Sequence, residues 1–504
     1  MKPIFKDFKF WLLFSIGILY FSLVYWFRWI SSDGLAVTYQ TKNVLNGLGM
    51  VWNYGERSFV STSPLYSLLS IPLTFLLEKI GFNNLPLQNI PIVINMIFSL
   101  LAFGIILKFV WTKNLSSTKL YFCTGIFLLA LGSDFFIHFS TSGLENSLSY
   151  LILSLFGVSV YSEKESTEKK SLPLYIALAF LTRYDFFLII FPTVLHLLNK
   201  YRFKAFPILL ILLIPITLWL GFALLYFGSI FPNSFYMKAG FLGIENSLGY
   251  FSKNVVRSPL MTILIGIGFW GAYKTYKPLF WGMVIYFFYT IYVTDYMFGR
   301  FWTNLVPLCI ITAVQYCSLY INKISVKDLK PALYAVIIIS LCFVTNRKLK
   351  DSIYLVNERK YYTEGVDLMH EYLSYTPPFN NTTERCDKID IRGGAALHIP
   401  LTQMARKKKC YYVDTMGLAT PFTTYFGKNY GIKGERPGHF EVNIRLLDSV
   451  GFKTSLMSGQ NTITNKGIHQ LYDDMKLITK EDLFSKERFE AIVRLHTINY
   501  NEIK

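Results

Sequence analysis

The sequence predicts a polytopic α-helical membrane protein that carries a C-terminal soluble α/β domain on the extracytoplasmic side. The first observation is composition, since 52% of the 504 residues are hydrophobic and only 16% are charged. An ordinary soluble chain of this length would hold about two or three domains and far more charge. The second observation is a series of long apolar stretches, and the third is a change to polar composition in the tail.

The apolar stretches predict spanning helices, because about 18 mostly apolar residues are enough to cross the hydrocarbon core of a bilayer. In lipid only helices and closed barrels satisfy every backbone polar group, so we interpret the stretches as helices. The first follows several lysines but lacks a small-residue cleavage site, which favours a retained helix over a signal peptide. The clearest stretches are residues 10–26, 90–111, 120–139, 205–227, 279–294, 306–321 and 332–345.

Basic residues predict the orientation, because lysine and arginine accumulate in cytoplasmic loops. One topology places every basic cluster inside, provided that residues 172–198 form two short helices folding back at Arg183 and residues 66–82 are re-entrant or interfacial. If residues 66–82 span instead, one early basic loop changes sides. The clusters are Lys2/Lys6/Lys9, Lys113/Lys119, Lys164/Lys169/Lys170, Lys200/Arg202/Lys204, Lys274/Lys277 and Lys323/Lys327/Lys330.

This topology predicts a transmembrane region at residues 1–346, with about 11 spanning helices and a first outer loop at residues 31–65. Residues 347–504 then form a separate extracytoplasmic domain of a bacterial cytoplasmic (inner) membrane protein. Within it, residues 388–392 and 410–414 have the composition of short strands that end near glycines. Cys386 and Cys410 can form a disulfide there if the tail is extracytoplasmic. The other cysteines lie in apolar stretches and are predicted to be small core residues: Cys123, Cys309, Cys317 and Cys342.

The formal charge of +18 does not predict a nucleic-acid partner, because cytoplasmic loops and lipid headgroups account for basic residues in a membrane protein. A Gly-x-x-x-x-Gly-Lys-Ser phosphate loop and a zinc-spaced Cys/His cluster are both absent from the sequence. These absences argue against ATP hydrolysis and structural zinc.

Asp33 is the candidate catalytic residue, since it follows the first spanning stretch directly. Desolvation near a membrane raises the pKa of a carboxyl group towards neutrality, which suits a general base. Such a base can deprotonate an acceptor hydroxyl that attacks a sugar carried on a lipid phosphate. The structural alternative is that Asp33 simply caps a short helix.

Further ionisable residues fall on the same predicted outer side, where each is costly and hence a functional candidate. The cations are candidate ligands of a donor phosphate, and the remaining residues are candidate substrate contacts. Each also has a structural alternative: Arg183 can pair with Asp185, Glu56 can pair with Arg57, and Lys238 can reach towards headgroups. The candidates are Arg57, Arg183, Lys238 and Arg300 for phosphate, and Glu56, Glu145, Asn233, Tyr236 and Asp295 for substrate.

Most of these candidates lie in short motifs that follow one another along most of the chain, from Asp33 to about Pro421. They are Asp33-Gly, Asn53-Tyr-Gly-Glu-Arg, Thr62-Ser-Pro-Leu-Tyr, Ser142-Gly-Leu-Glu, Leu181-Thr-Arg, Pro232-Asn-Ser-Phe-Tyr-Met-Lys, Phe298-Gly-Arg-Phe and Val413-Asp-Thr-Met-Gly-Leu. Together they resemble the membrane-embedded GT-C glycosyltransferases. They are most similar to the terminal β-(1→2) arabinofuranosyltransferase group of mycobacterial cell-wall synthesis and its bacterial relatives.

The resemblance implies a GT-C fold, a polyprenyl-phosphate sugar donor, inverting transfer on the outer membrane face and a catalytic acid in the first outer loop. Asp33 matches that acid by position. Some enzymes of this superfamily hold a divalent metal through paired acids, but the first outer loop has no Asp-x-Asp. We therefore predict no cofactor and leave a divalent metal as an open alternative.

The functional prediction is an inverting glycosyltransferase that moves a sugar, with arabinofuranose favoured by the resemblance, to a cell-envelope glycan or lipid acceptor. The alternative from another class is a transporter or flippase of a lipid-linked glycan. Transporters commonly carry internal repeats and broken midplane helices. Neither is clear in this sequence, and a dedicated outer domain favours the enzyme.

Overall fold

A computed structural model describes residues 8–82, 89–113, 115–162, 171–202, 206–237, 244–293, 297–320, 389–392, 411–433 and 440–503. The chain divides into two compact units, each built from three separate segments. Unit 1 comprises Met1–Ser31, Ile90–Ile216 and Gly243–Met369, and unit 2 comprises Ser32–Asn89, Thr217–Leu242 and His370–Lys504. The division at residue 346 remains a prediction.

Unit 1 is helical in all its longer described segments, which confirms the helical interpretation of the apolar stretches. The last of its described helices lies along the helix Pro259–Thr275, and the two come very close because Gly268 and Gly271 lie directly against Cys309 and Thr312. The Thr312 hydroxyl also donates to the Gly268 carbonyl at 2.9 Å. The helices are α1 (Phe8–Trp26), α4 (Asn89–Thr112), α5 (Ser117–Leu131), α6 (Asp134–His138), α7 (Asn146–Ser162), α8 (Ser171–Thr182), α9 (Phe187–Tyr201), α10 (Phe206–Phe227, shared with unit 2), α12 (Ile244–Arg257), α13 (Pro259–Thr275), α14 (Lys277–Val293), α15 (Arg300–Thr303) and α16 (Val306–Tyr320).

Two interruptions in unit 1 bear on the sequence predictions. The predicted break at Arg183 is confirmed, since α8 ends at Thr182 and a short 3-10 turn separates it from α9. The stretch 120–139 was expected to be one helix but is broken between α5 and α6. Gly132 and Ser133 lie at this break, where Ser133 takes an extended backbone conformation. Glycine is a poor helix former and serine competes for backbone hydrogen bonds, which explains the interruption.

Unit 2 combines helices from the first predicted outer loop, the end of α10 and the tail. Its main apolar cluster brings Met237 together with tail residues that include Phe422, Phe426, Leu471 and Ile492. The elements are α2 (Ser32–Leu45), α3 (Pro64–Lys79), α11 (Asn233–Met237), β1 (Ile389–Arg392), β2 (Tyr411–Asp414), α17 (Pro421–Tyr430), β3 (Ile432–Lys433), β4 (Phe440–Glu441), α18 (Ile444–Ser449), α19 (Phe452–Ser458), α20 (Lys466–Lys480) and α21 (Lys486–Thr497).

The two strands predicted in the tail are confirmed and pair with each other. β1 and β2 run parallel, with Ile389 opposite Tyr411 and Arg392 opposite Asp414. A second pair, β3 and β4, is antiparallel.

Among the described residues, four helical stretches are long and apolar enough to cross a membrane: Phe8–Trp26, Asn89–Thr112, Leu209–Phe227 and Arg300–Tyr320. A bent pair, Ser247–Arg257 with Pro259–Thr275, can add a fifth. These stretches fit a multi-pass membrane protein. Residues 66–82, expected to be re-entrant or interfacial, fall largely in α3, which is shorter than the spanning length. The predicted span 332–345 lies outside the described residues.

Cysteine placement agrees with the sequence prediction wherever it is described. Cys123, Cys309 and Cys317 are free and buried. Cys342, Cys386 and Cys410 lie outside the described residues, so the proposed disulfide stays a prediction.

Candidate functional site

Asp33 lies in the first turn of α2, which begins at Ser32 and runs for 14 residues. Carboxylates at this position interact favourably with the exposed backbone N–H groups of a helix start. The side chain is partly buried. Asp33 is thus the second residue of α2 rather than the N-cap weighed as the structural alternative, and this setting is compatible with catalysis.

The segment after α2 folds back onto that helix. The Asn43 side chain donates to the Val51 carbonyl at 3.0 Å, and the Gln40 side chain donates to the Ser58 carbonyl at 2.7 Å. A short bridge joins Val51 to Arg57 across a turn that contains Gly55. Gly55 has φ of +73°, a conformation that glycine adopts without steric cost. The Asn53-Tyr-Gly-Glu-Arg motif is therefore a tight turn held against the Asp33 helix.

Asn53 and Glu56 connect this turn to β2. The Asn53 amide donates to the Tyr412 carbonyl at 2.9 Å and accepts from the Tyr412 N–H at 2.8 Å, so it pairs with the strand as another backbone would. The Glu56 carboxylate accepts the Tyr411 hydroxyl at 2.9 and 3.0 Å and the Asn53 amide at 3.1 Å. Burial raises the pKa of Tyr411 well above its usual range and the Glu56 charge raises it further. The phenol therefore stays protonated and donates.

Arg57 binds backbone carbonyls at the C-terminal end of α20. Its guanidinium donates to the Ile478 carbonyl at 3.0 Å and to the Glu481 carbonyl. Cations are favourable at this end of a helix, where carbonyls lack partners within the helix. The pairing of Glu56 with Arg57, considered from the sequence, is not what the structure shows, because the two side chains bond to different parts of the tail.

Asp414, in the Val413-Asp-Thr-Met-Gly-Leu motif, organises the loop that follows β2. Its carboxylate accepts the backbone N–H groups of Met416 at 2.9 Å, Leu418 at 2.7 Å and Ala419 at 2.9 Å. Burial raises the pKa of Asp414, the three N–H donors oppose that shift, and the nearby Asp33 charge adds to it. This effect of the Asp33 charge shows that the tail motif lies near the Asp33 helix.

The loop that Asp414 holds also contacts the first outer segment. Ala419 packs with Ala36 of α2 and with Trp52, and the Ser58 hydroxyl donates to the Ala419 carbonyl. The Val413-Asp-Thr-Met-Gly-Leu motif and the loop after it therefore support the helix that carries Asp33.

The Pro232-Asn-Ser-Phe-Tyr-Met-Lys motif forms α11 and meets the same loop. The Asn233 amide donates to the Ser58 hydroxyl at 3.2 Å and to the Leu418 carbonyl at 3.3 Å. Tyr236 shares a hydrogen bond with the Ser229 hydroxyl at 2.8 Å, and its ring lies 5.0 Å from that of Tyr425. Met237 is fully buried against Gly417 and Gly427. The next residue, Lys238, lies outside the described residues.

Unit 1 contains a polar cluster around Glu145, which is only 4% exposed. Arg183 forms two parallel hydrogen bonds to Asp185, at 2.9 and 2.7 Å, and also donates to Glu145. Arg300 donates to Glu145 at 3.2 Å, and the Asn146 amide holds the Arg300 carbonyl at 2.9 Å. The Arg183–Asp185 pair, weighed above as the structural alternative to phosphate binding, is therefore present within a larger cluster.

The charges of this cluster compensate one another, since two acids face two arginines. Burial acts to raise the pKa of Glu145, but the charges of Arg300 and Arg183 outweigh it and hold the pKa at about 2. Glu145 is thus ionised at neutral pH and cannot serve as a proton donor there.

The predicted site residues therefore fall in both units. Unit 2 brings Asp33, Glu56, Arg57, Asn233 and Tyr236 into one connected set, and unit 1 holds Glu145, Arg183 and Arg300. Lys238 and Asp295 lie outside the described residues. The part of the chain that the structure describes contains no group of three or more His, Cys, Asp or Glu side chains placed to hold a metal ion.

Sequence reasoning left three participants without a role: Asn53, Tyr411 and Asp414. Asn53 and Asp414 lie in two of the motifs quoted above, so the sequence did mark their positions. The partners of Asn53 and Tyr411 could not be read from the sequence, because Tyr412 and Glu56 lie 359 and 355 positions away from them, whereas Asp414 bonds within its own loop.

Part of the chain is similar to a known glycosyltransferase. It is 35% identical over 136 residues to the terminal beta-(1->2)-arabinofuranosyltransferase of Mycobacterium tuberculosis, a match that covers 25% of this chain and 20% of that protein. No protein-family model matches the chain, and no solved structure matches it. The similarity supports a related glycosyltransferase over this limited length, and hence an enzyme.

Proposed function

We propose that this protein is an inverting glycosyltransferase of the GT-C type, which transfers a sugar from a polyprenyl-phosphate donor to a cell-envelope glycan or lipid acceptor on the outer face of the inner membrane. The observation that carries the proposal is the set of hydrogen bonds that joins the Asn53, Asn233 and Asp414 motifs around the Asp33 helix. The partial arabinofuranosyltransferase similarity supports the same reaction class and makes arabinofuranose the first sugar to test.

In the proposed reaction, Asp33 accepts the proton of an acceptor hydroxyl while the hydroxyl oxygen attacks the anomeric carbon. A new glycosidic C–O bond forms, and the C–O bond to phosphate breaks with its electron pair leaving on the polyprenyl phosphate. Phosphate is a good leaving group, so a second carboxylic acid is not needed as it is in glycoside hydrolysis. Attack opposite the leaving group inverts the anomeric configuration.

Cations are proposed to bind the donor phosphate. The existing contacts of each described arginine indicate how readily it could do so. Arg183 and Arg300 already face the carboxylates of Asp185 and Glu145, so a phosphate must displace those partners. Arg57 bonds to carbonyls and supports α20. Lys238 is therefore the first candidate, because it directly follows Met237 in the core of unit 2. We assign Asn233 and Tyr236 the task of positioning α11 and thereby Lys238.

The remaining acids take the supporting roles that their contacts favour. Glu56 is proposed to hold the first outer turn on β2, and Glu145 to orient the two arginines of unit 1. Asp295 lies outside the described residues, and its proposed contact with substrate rests only on its position in the sequence.

The test uses purified full-length protein in lipid vesicles with synthetic polyprenyl-phosphate arabinofuranose and a panel of short glycan acceptors. We expect release of free polyprenyl phosphate together with a new glycoside of inverted configuration, measured by chromatography and NMR. Asp33→Asn should lower turnover by about 10²–10⁴, the usual effect of removing a general base. Glu78→Gln is the matched control, since Glu78 is another acid of unit 2 that pairs with Lys42 outside the motifs.

One result would overturn the proposed reaction, and another would overturn only the role given to Asp33. Movement of intact donor across the vesicle without release of polyprenyl phosphate would establish a flippase instead. Near-normal turnover of well-folded Asp33→Asn would remove Asp33 from the role of base, and Glu56 or Asp295 would be examined next.

A further inference from the structure

The last helix, α21, carries an apolar strip that unit 2 leaves uncovered. Its inner face packs into the core through Ala491, Ile492 and Leu495. Phe489 and Val493 are exposed instead, and Phe484, in the turn before the helix, is 77% exposed. Three large apolar side chains on one short segment are costly in water, because buried apolar area is the main favourable contribution to folding.

This helix is fixed to the C-terminal end of α10. The Arg488 guanidinium donates to the Tyr226 carbonyl at 3.3 Å, and the His496 ring lies 2.9 Å from the Gly228 carbonyl. Gly228 itself lies directly against the Ile478 and Ile492 side chains, where a larger residue has no room. These contacts hold α21 at the point where α10 ends.

The end of α10 belongs to one of the stretches long and apolar enough to cross a membrane, Leu209–Phe227. Leu218, Phe222 and Leu225 recur at helical spacing on it and are all exposed, as expected for side chains that face lipid. A hydrocarbon boundary is therefore expected near the Phe227 end of this helix.

The uncovered strip of α21 borders the residues of that helix that contact the end of α10. Phe489 lies three residues from Ile492 and Val493 lies three residues from His496, so the strip runs along the edge of the face that carries Ile492 and His496, because residues three and four apart are neighbours on a helix surface. Ile492 and His496 on that face contact Gly228. Phe489 and Val493 therefore continue the apolar surface of α10 beyond its end.

We propose that α21 and the Phe484 turn lie in the membrane surface and insert Phe484, Phe489 and Val493 among the lipids that surround the end of α10. The occupant is the bilayer because the strip is continuous with a surface of α10 that is expected to face lipid. Amphipathic helices bind membranes in this way, with their apolar face at the boundary between headgroups and acyl chains. The tail is then held to the membrane at its far end as well as through its contacts with α10. This inference goes beyond the proposed reaction and does not depend on it.

The test places a photo-crosslinking amino acid, p-benzoylphenylalanine, at chosen positions of the full-length protein in vesicles of phosphatidylethanolamine and phosphatidylglycerol. After illumination, mass spectrometry measures whether the protein has gained the mass of a phospholipid. We expect lipid adducts at Phe489 and Val493, at yields comparable to those at Leu218 on α10. Glu487 is the matched control, since it is exposed on the same helix but lies outside the strip.

Each other outcome contradicts the proposal. Adducts between two copies of the chain, or with another protein, at Phe489 would show that the strip is a protein interface. No lipid adduct at Phe489 and Val493 while Leu218 gives one would show that the strip faces water. Equal lipid yields at Glu487 and Phe489 would show that α21 has no preferred face. Size-exclusion chromatography of each variant checks folding before illumination.

Discussion

At the scale of single residues, Asn53 is the clearest case of a motif residue whose role follows from its buried environment. It is 2% exposed and satisfies both the N–H and the carbonyl of Tyr412. A buried amide that pairs with a strand in this way acts as a piece of backbone. Its loss leaves buried polar groups without partners, which costs more than the hydrogen bonds themselves contribute.

We therefore predict that Asn53→Ala lowers the free energy of unfolding by about 1–3 kcal/mol. Thermal unfolding of the purified protein in detergent measures the effect. Asn46→Ala, at an exposed position just after α2, is the control and should change stability by less than about 0.5 kcal/mol. Equal stability of the two variants would show that the Asn53–Tyr412 pair contributes little.

Glu145 gives a second prediction with a defined pH dependence. Glu145→Gln removes one partner of a buried ion cluster, so the free energy of unfolding should fall by about 3–5 kcal/mol. The pKa of Glu145 is lowered in the folded protein, to about 2. Its contribution is therefore present above the ordinary glutamate pKa and is lost as pH falls from about 4 towards 2.

The difference in melting temperature between wild type and Glu145→Gln should thus shrink as the pH falls below about 4. Comparing the two proteins at each pH removes the common effect of other carboxylates. A difference that stayed constant over this range would contradict the lowered pKa.

Lys238 is the residue whose role the kinetics can separate from that of Asp33. A contact with the donor phosphate exists in both ground and transition states, so Lys238→Ala should raise the donor KM and also lower kcat. Asp33→Asn should lower kcat with little change in donor affinity. Steady-state kinetics over a range of donor concentrations distinguish the two patterns, and an unchanged KM for Lys238→Ala would remove Lys238 from the phosphate site.

At the scale of elements, the close packing of α13 on α16 depends on small residues. A methyl group added to Gly271 would lie 2.7 Å from the Thr312 carbonyl oxygen, whereas one added to Gly266 meets nothing within 4 Å. Glycine at an interface lets two helix backbones approach closely, as membrane helices commonly do. The same residue elsewhere on the helix only lowers helix propensity.

Gly271→Ala and Gly266→Ala, both in α13, should therefore change stability in opposite directions. Gly271→Ala forces the two helices apart and should destabilise by about 1–3 kcal/mol. Gly266→Ala should stabilise by up to about 1 kcal/mol, because alanine is the better helix former. Melting temperatures in one detergent compare them, and a stabilising Gly271→Ala would contradict the close approach.

At the scale of the whole molecule, unit 2 depends on the tail for its assembly. The turn at Asn53 and the helix α11 both bond to residues beyond position 410. Neither has those partners until the end of the chain has been synthesised. The first outer segment is therefore a product of long-range contacts rather than a local fold.

A chain that ends at residue 346 should leave this segment open to proteases. We expect limited proteolysis to cut the truncated chain between positions 46 and 62, while the full chain resists there under the same conditions. Mass spectrometry of the fragments locates the cuts. Equal resistance of both chains would show that the first outer segment folds without the tail.

The sequence by itself predicted the membrane class, the helical character of the apolar stretches, the break at Arg183 and the two short strands of the tail. These follow from hydrophobicity, helix breakers and strand composition, which act over a few neighbouring residues. It also marked Asp33 and the motifs around it as candidates, although their catalytic and binding roles are still predictions.

Only the tertiary structure decided which partners those motifs take. Asn53 and Tyr412 are 359 positions apart, and Arg57 bonds to carbonyls 421 and 424 positions away. A hydrogen bond between distant segments leaves no periodic trace in either one, since any suitable donor and acceptor can form it. The sequence could name Glu56 and Arg57 as a possible pair because they are neighbours, whereas the folded chain gives each a partner in the tail.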